Sequence, residues 1–415
     1  MKKEIVFLDM NPALTEIPIY QIGLCYIAGI CIRKGYKVQI IEYSEIVGAG
    51  IEQYADILDK ATYIGISIRN IDNTEGGNPK SYLSAITNDM FYLSNNYSDK
   101  AVLGGAGFSI MPNEILRLFH FKYGIAGRGG DVWSSLLDWL MSGNSINDFF
   151  NTGIRRSNDL MNIYRYEKLE YIWDIYPQLF NDRKTLGFDT HLGCGCHCIY
   201  CTYPAITKGC ECYRPSHEIL DFIIAANNKH IGQLQIVDDI FNSDLSYAKT
   251  VCSAIINANN TIPIKCYLSP NIDPEFAMLL KKAGVKEVVM GVDSLSDSIL
   301  LKMGKDYLES DIFNARRILK RVGIKTVYTF ILGGPFETIE TLLETKNNVF
   351  KHMPDRVTIQ YGIRLYPNTP IFNMYSSSDT DYCHPQFIKS TLVSESIIKR
   401  VTEEIYSRIG ARIML

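Results

Sequence analysis

The sequence predicts an α/β protein of two domains, an N-terminal doubly wound parallel sheet followed by a partial (β/α)6 barrel. Three observations predict it. The 415 residues are 47% hydrophobic, enough to bury two cores rather than one. Short apolar runs alternate with segments of helical period along most of the chain, the signature of parallel sheets covered by helices. The alternation breaks once, in an irregular polar and aromatic stretch from about Ser142 to Lys184, which divides the chain in two.

The opening KEIVFLDMNP reads as a buried strand that runs into a Pro-bounded loop, and Gly23 to Lys34 has the apolar spacing of a helix. Gly35 and a second strand, KVQIIEY, complete a βαβ unit. Further strands follow at YIGISI (Tyr63 to Ile68), AVLGGAG (Ala101 to Gly107) and YGIAGRGG (Tyr123 to Gly130), which makes residues 1–145 a Rossmann-like domain whose ligands sit at the strands' carboxyl ends. Residues 146–184, with MSGNSINDFFNTG nearby and YEKLEYIWDIYP inside, read as a linker. From 185 to 375, six runs recur before helical segments: LGFDTHL, QLQIVDD, IKCYLS, KEVVMGVDS, KTVYTFILGG and VTIQYGIRLYP. The tail, 376–415, contains an amphipathic helix near Val393 to Ile409 that is expected to cap the barrel.

The charge balance, 42 basic against 45 acidic side chains for a net −3, contains no basic footprint for nucleic acid. A small-molecule or peptide substrate is the expectation. The N-terminus reaches Asp9 and Pro12 before a signal-peptide core forms, and no apolar run is long enough to span a membrane, so a cytoplasmic location without a membrane partner is expected.

Of the 11 cysteines, four crowd between Cys194 and Cys201, too closely for a stapling framework of disulfides. Cys194, Cys198 and Cys201 stand at Cys-x3-Cys-x2-Cys spacing in HLGCGCHCIYCTYP. Three thiolates hold a four-iron, four-sulfur cluster with one iron left open for chelation. The competing reading is a structural zinc knot that also draws on Cys196, Cys210 and Cys212. Zinc sites usually pair one Cys-x2-Cys with another, whereas the second pair here is Cys210-x-Cys212, so the cluster is favoured and Cys196 is left without a role.

The spacing, its place after the first barrel strand and Tyr200 before the third cysteine resemble the radical SAM (S-adenosylmethionine) superfamily. That resemblance implies SAM on the open iron and polar contacts to it from the strand ends. The matching positions are Asp238 and Asp239 after the second strand, Ser269 after the third, and Asp293 and Ser294 after the fourth. Asp293 stands where relatives commonly have Glu, so it is expected to accept hydrogen bonds from ribose hydroxyls; the bland alternative for Asp239 and Asp293 is a helix N-cap. In ILGGPFET, Gly333 and Gly334 are expected to let backbone approach the adenine, or else to form only a tight turn. An electron donor such as flavodoxin or ferredoxin is implied as partner.

With the doubly wound domain ahead of the barrel, the whole chain resembles the cobalamin-binding branch of that superfamily. Gly104, Gly105 and Gly107 match positions that make room for the nucleotide tail of cobalamin, and Ser67, Arg69 and Asn70 match a loop beneath the corrin. Asp-x-His-x-x-Gly is absent, and His120 is the only histidine before the barrel, so a histidine ligand to cobalt is not expected. The loop SIRNIDNT resembles that of the tryptophan 2-C-methyltransferases of thiopeptide biosynthesis, which implies Arg69 below the cobalt. A guanidinium has no available lone pair and would disfavour a strong lower ligand; a salt bridge of Arg69 to Asp72 is the alternative. The resemblance implies methyl transfer to carbon, with rearrangement, cyclisation or oxidation by the same cofactors, or a barrel with a vestigial N-terminal domain, as alternatives.

Overall fold

The computed structural model describes residues 3–12, 21–151, 153–156, 185–207, 209–229, 231–376 and 384–410. The chain divides into two units, Met1–Asn73 with Lys80–Leu179 and Asp381–His384, and Thr74–Pro79 with Phe180–Thr380 and Pro385–Leu415.

The first unit is built on six parallel strands, β1 (Glu4–Asp9), β2 (Lys37–Glu42), β3 (Tyr63–Ser67), β4 (Ala101–Gly104), β5 (Tyr123–Ala126) and β6 (Ile154–Arg156), in the order β2-β1-β3-β4-β5-β6. The order reverses at β1, as in a doubly wound sheet, so the loops after β1 and β3 leave the same end side by side. Apolar residues fill β1 from Ile5 to Leu8 almost without exposure, because a parallel sheet covered on both faces buries both sides of its strands. Helix Ile22–Arg33 covers it, with Leu24, Cys25, Ala28 and Cys31 turned inward.

The sequence predicts a linker from residue 146, but helix Ile146–Phe150 and β6 still belong to the first unit's sheet. IRR is a short, exposed edge strand with no apolar run to announce it. The remainder of the expected linker, 157–184, lies outside the described residues.

In the second unit, all six predicted barrel strands form: β7 (Thr185–Phe188), then after the short β8 (His191–Leu192) and β9 (Cys212–Tyr213) come β10 (Gln233–Ile236), β11 (Ile264–Tyr267), β12 (Val285–Asp293), β13 (Lys325–Leu332) and β14 (Arg356–Tyr361). The sheet runs β14-β13-β12-β11-β10-β7, wholly parallel, each strand beside its neighbour in sequence. Helices start on side-chain caps, with Asp244 accepting from the Tyr247 amide at 2.9 Å and Asp273 from that of Phe276 at 2.7 Å.

The tail helix, Glu395–Ile409, packs against helix Ile339–His352 and the edge strand β14, where the Tyr406 hydroxyl accepts from the Ile359 amide at 3.1 Å. It therefore shields a strand edge. Two short strands, β15 (Ile363–Arg364) and β16 (Phe387–Ile388), form an antiparallel pair beyond β14. The Thr74–Pro79 segment also belongs to this unit: Gln360 donates to the Thr74 hydroxyl at 3.1 Å, and a Cβ on Gly76 would stand 1.8 Å from the Tyr361 carbonyl oxygen. No helix among the described residues is long and apolar enough to cross a membrane.

Candidate active site

The cysteine loop leaves the barrel on a braced stem. After β7 the chain turns through Asp189 and Thr190 into β8, which pairs antiparallel with β9. Asp238, at the end of β10, holds this turn: its carboxylate accepts from the Thr190 amide at 2.6 Å, the Thr190 hydroxyl at 2.5 Å and the His191 amide at 3.3 Å, and lies 3.0 Å from His191 Nδ1. Both carboxylate oxygens are thus engaged by the stem. The Asp238 side chain is fully buried there, with Thr190 and His191 as its partners. On the far side of the imidazole, Nε2 lies 3.2 Å from Ser243 Oγ. Burial opposes a charge on His191, but Asp238, Glu211 and Asp239 more than offset it and raise its pKa.

Gly193 follows with φ +87°, where a Cβ would meet the Cys210 carbonyl oxygen at 1.8 Å, so only glycine lets the β9 side approach this closely. The loop itself is tied down through its backbone: the Ile199 amide donates to Met303 O at 3.1 Å, the Ile371 amide to Ile199 O at 3.0 Å, and the Cys201 amide to Cys198 O at 3.2 Å. Gly304 presses on it so closely that a Cβ would stand 2.4 Å from the His197 carbonyl oxygen. Cys194 is buried, and Cys196, Cys198 and Cys201 are half-buried.

A buried charge cluster lies beside the thiols. Lys305 Nζ sits 2.7 Å from Asp293 Oδ2, donates to the Gly291 carbonyl at 3.0 Å and to the Tyr200 hydroxyl at 3.2 Å, while Tyr200 donates to Asp293 at 2.5 Å. The Lys305 and Asp293 side chains are 7% and 6% exposed, so this is a desolvated pair. Burial alone would lower the Lys305 pKa, but Asp293, Tyr200, Tyr307 and Cys198 raise it well above the ordinary value. Asp293 ends β12 at φ 61°, after a register shift between Met290 and Asp293. Its carboxylate, expected to meet ribose hydroxyls, is bound on Oδ2 by Lys305 and Tyr200.

Burial pushes the Cys198 thiol up and the neighbouring Lys305 ammonium pulls it back; burial drives Cys201 to about 12. Cys196 is lowered to about 7, chiefly by a hydrogen bond from Cys194, whose own value rises for the same reason and for its burial. The negative charge of Asp239 acts on both Cys194 and Cys201, and the adjacent helix is capped by Asp244 rather than by Asp239.

The other expected contacts divide. Asn242, which sequence reasoning missed, accepts from the Ser269 amide at 2.8 Å and donates to Ser269 O at 3.2 Å, so it fixes the turn after β11 and leaves the half-buried Ser269 at that strand's end. Ser294 is buried, with its hydroxyl 2.9 Å from Thr345 Oγ1, and accepts from the Ser296 amide. Gly333 and Gly334 are closely packed: a Cβ on Gly333 would stand 2.4 Å from the Tyr361 ring and one on Gly334 3.2 Å from Ile363. The Gly333 amide donates to buried Glu337 at 2.6 Å, and burial lifts that carboxyl to about 7.

In the first unit, Ser67 ends β3 and donates to Gln21. Arg69 and Asn70 follow, half-buried. Gly105 and Gly107 lie close against the loop: a Cβ at Gly105 would stand 2.5 Å from Ile68 O and one at Gly107 2.9 Å from Arg69 O. Gly104 sits half-buried at the end of β4.

The thiols suit an iron–sulfur cluster on the chemistry of the donor set: three cysteines in one braced loop with a buried ammonium beside Cys198, which matches an anionic inorganic centre. Among the described residues no three His, Cys, Asp or Glu side chains gather around a single ion. A four-iron cube instead receives each thiolate at a separate corner.

Residues 190–349, from the stem to the end of helix Ile339–His352, match the family model described as the radical SAM superfamily. The chain carries a radical SAM domain. It is 20% identical to the tryptophan 2-C-methyltransferase of Streptomyces laurentii, over 86% of this chain and 72% of that one. Its fold is similar to that of the radical SAM methyltransferase TsrM from Kitasatospora setae, solved with tryptophan substrate and a SAM analogue bound, at a TM-score of 0.78 and 20% identity, covering 96% of this chain and 82% of that one. It is also similar to OxsB, a cobalamin-dependent radical SAM enzyme solved with aqua-cobalamin and SAM, at a TM-score of 0.65 and 14% identity over 99% of this chain and 62% of that one. The fold is therefore a radical SAM barrel preceded by a doubly wound domain, and the radical SAM domain makes the chain an enzyme.

Proposed function

We propose that this chain is a cobalamin-dependent radical SAM methyltransferase that acts on a carbon centre of a small-molecule or peptide substrate. The observation that carries the reading is the pairing, in one chain, of a braced three-cysteine loop on a six-stranded parallel barrel with a doubly wound domain whose β3 loop bears Arg69. When bound, the cluster supplies an electron to SAM and the cobalamin carries the methyl group.

The residues of this chain do the holding. Cys194, Cys198 and Cys201 ligate the cluster, with Cys196 outside the ligand set. Lys305, fixed by Asp293 and Tyr200, sets a positive charge beside Cys198 and balances the negative centre. Asp239 and Ser269 remain as candidate SAM contacts at the ends of β10 and β11. Ser67, Arg69, Asn70 and Gly104 would face the corrin and its tail, and the guanidinium offers no lone pair to the metal. A reducing protein such as flavodoxin or ferredoxin would supply electrons in the cytoplasm.

The test is anaerobic reconstitution with iron, sulfide and hydroxocobalamin, followed by metal stoichiometry and incubation with methyl-labelled SAM and candidate indole or peptide substrates. About one cobalt and four irons per chain with label in a carbon–methyl product is the expected result. Cobalt at background level would overturn the cobalamin assignment. A second reading keeps the same cofactors with a rearrangement, cyclisation or oxidation as the outcome. A product that lacks the labelled methyl would select it.

A further inference from the structure

The carboxyl end of β1 holds a buried carboxyl group, Asp9, within reach of the loop that follows β3. Strand register sets Asp9 opposite Glu42 on one side and opposite Ser67 on the other. Asp9 is only 6% exposed, whereas Glu42 is half-buried and caps the following short helix, so Asp9 is the carboxyl that burial leaves in need of a nearby cation or a bound proton.

Gln21, at the start of helix Ile22–Arg33, bridges the gap: its amide donates to Asp9 and its carbonyl oxygen accepts from Ser67. Asp9, Gln21 and Ser67 thus form one side-chain relay that ends two residues before Arg69. The Met10 amide also donates to Ser67 O at 3.0 Å. From the other side, Gly105 and Gly107 bring their backbone against Ile68 and Arg69, with the Ile68 amide donating to Gly104 O at 2.8 Å and the Phe108 amide to Ile68 O at 3.2 Å. The backbone of the loop is clamped on both sides. The Arg69 side chain, long and rich in rotamers, is localised only if a charge holds it.

We propose that Asp9 is a positioning residue for Arg69, holding the guanidinium at the carboxyl end of β3 through its charge and through the Gln21–Ser67 relay; this rests on the reading of Arg69 as the group below the cobalt. The electrostatics agree: burial lifts the Asp9 carboxyl to about 7 and Glu42 adds to the lift, while Arg69 works in the opposite direction, which requires the guanidinium to be near. Without Asp9, Arg69 would gain rotamer freedom and lose its place.

The experiment uses the full chain reconstituted with cluster and hydroxocobalamin, reduced to cob(II)alamin, and read by cobalt stoichiometry, electron paramagnetic resonance and visible absorption. Asp9→Asn is expected to keep its cobalt while its spectrum moves towards that of Arg69→Ala. Asp9→Glu is expected to restore the wild-type spectrum, and the double variant to match Arg69→Ala alone. An Asp9→Asn spectrum identical to wild type beside an altered Arg69→Ala spectrum would overturn the inference, as would an Asp9→Asn shift that persists in the Arg69→Ala background. Should Asp9→Asn lose its cobalt, Ser67→Ala carries the test, with an intermediate spectrum in support and an unchanged one against. An Arg69→Ala spectrum equal to wild type, or wild-type protein without cobalt, sinks the reading of the site and this inference with it.

Discussion

The cysteine loop of the barrel and the Arg69 loop of the N-terminal sheet both follow strand ends and both hold buried charge, yet they balance it differently. In the barrel, Lys305 and Asp293 are 2.7 Å apart with Tyr200 bonded to both, and Asp238 is fully engaged by Thr190 and His191. Asp293 and Asp238 there both have their partners in place. At the end of β1, Asp9 and Glu42 lie on neighbouring strands and Arg69 is the cation that acts on Asp9. Paired charges brace the loop that carries the thiols, whereas one buried carboxyl acts on one arginine at the end of β1.

The comparison breaks most visibly at the thiols. Cys198→Ala is expected to abolish the cluster, read as iron and sulfide content near zero after anaerobic reconstitution, while Cys196→Ala retains it. A Cys198→Ala protein with a full complement of iron would refute the ligand set.

Lys305→Met tests whether the barrel's charge set is closed. It leaves the desolvated Asp293 without its ammonium partner, so a loss of about 3–5 kcal/mol in denaturant unfolding is expected, with much of it recovered in Lys305→Met/Asp293→Asn. A loss under about 1 kcal/mol, the range of an exposed pair, would contradict a desolvated one.

Gly105→Ala probes the other loop. Its φ of +102° and the Ile68 carbonyl oxygen 2.5 Å from a built Cβ both oppose the substitution, and about 2 kcal/mol of destabilisation is expected together with weaker cobalamin binding. Unchanged unfolding and unchanged binding would show that the clamp on Ile68–Arg69 is loose.

The smallest effects are in the pH dependence. Glu337 titrates near 7 in the folded chain against about 4.5 unfolded, so the unfolded chain releases its proton first. Its contribution is greatest below about pH 4.5, declines as pH rises through the folded value and then levels. Glu337→Gln should remove that decline in chemical unfolding measured from pH 4.5 to 8. His191 has a raised folded pKa, so its link to Asp238 stabilises fully below about pH 6.5 and is lost as pH climbs through the raised value. His191→Asn should therefore cost more at pH 6 than at pH 9, and an equal cost at both would exclude a charged His191.

The six barrel strands were legible because a parallel sheet under helices reads as repeated apolar runs, and the cysteine loop because its spacing is local. The contacts that saturate the site were not. Asp238 was read as ligand-facing from its place after a strand, but its partners Thr190 and His191 lie 48 and 47 residues away. Lys305 follows Gly304 at a helix end and has no motif of its own; its role depends on the backbone of Asp293 adopting φ 61°, which only the folded strand end reveals. The glycines at 105 and 107 were read as making room for a nucleotide tail, while the Ile68–Arg69 backbone that lies against them is placed there by β3 and β4 being neighbours.

Gly76 has a consequence for how the molecule is made. Thr74 meets Gln360 across 286 residues of chain, although the barrel's own sheet pairs each strand with the next. During synthesis this short segment must wait until nearly the whole barrel has emerged before it finds its seat at Tyr361. Contacts so distant in sequence form slowly, so docking of Thr74–Pro79 is expected to be a late step in folding, one that a bulkier residue at 76 would stall.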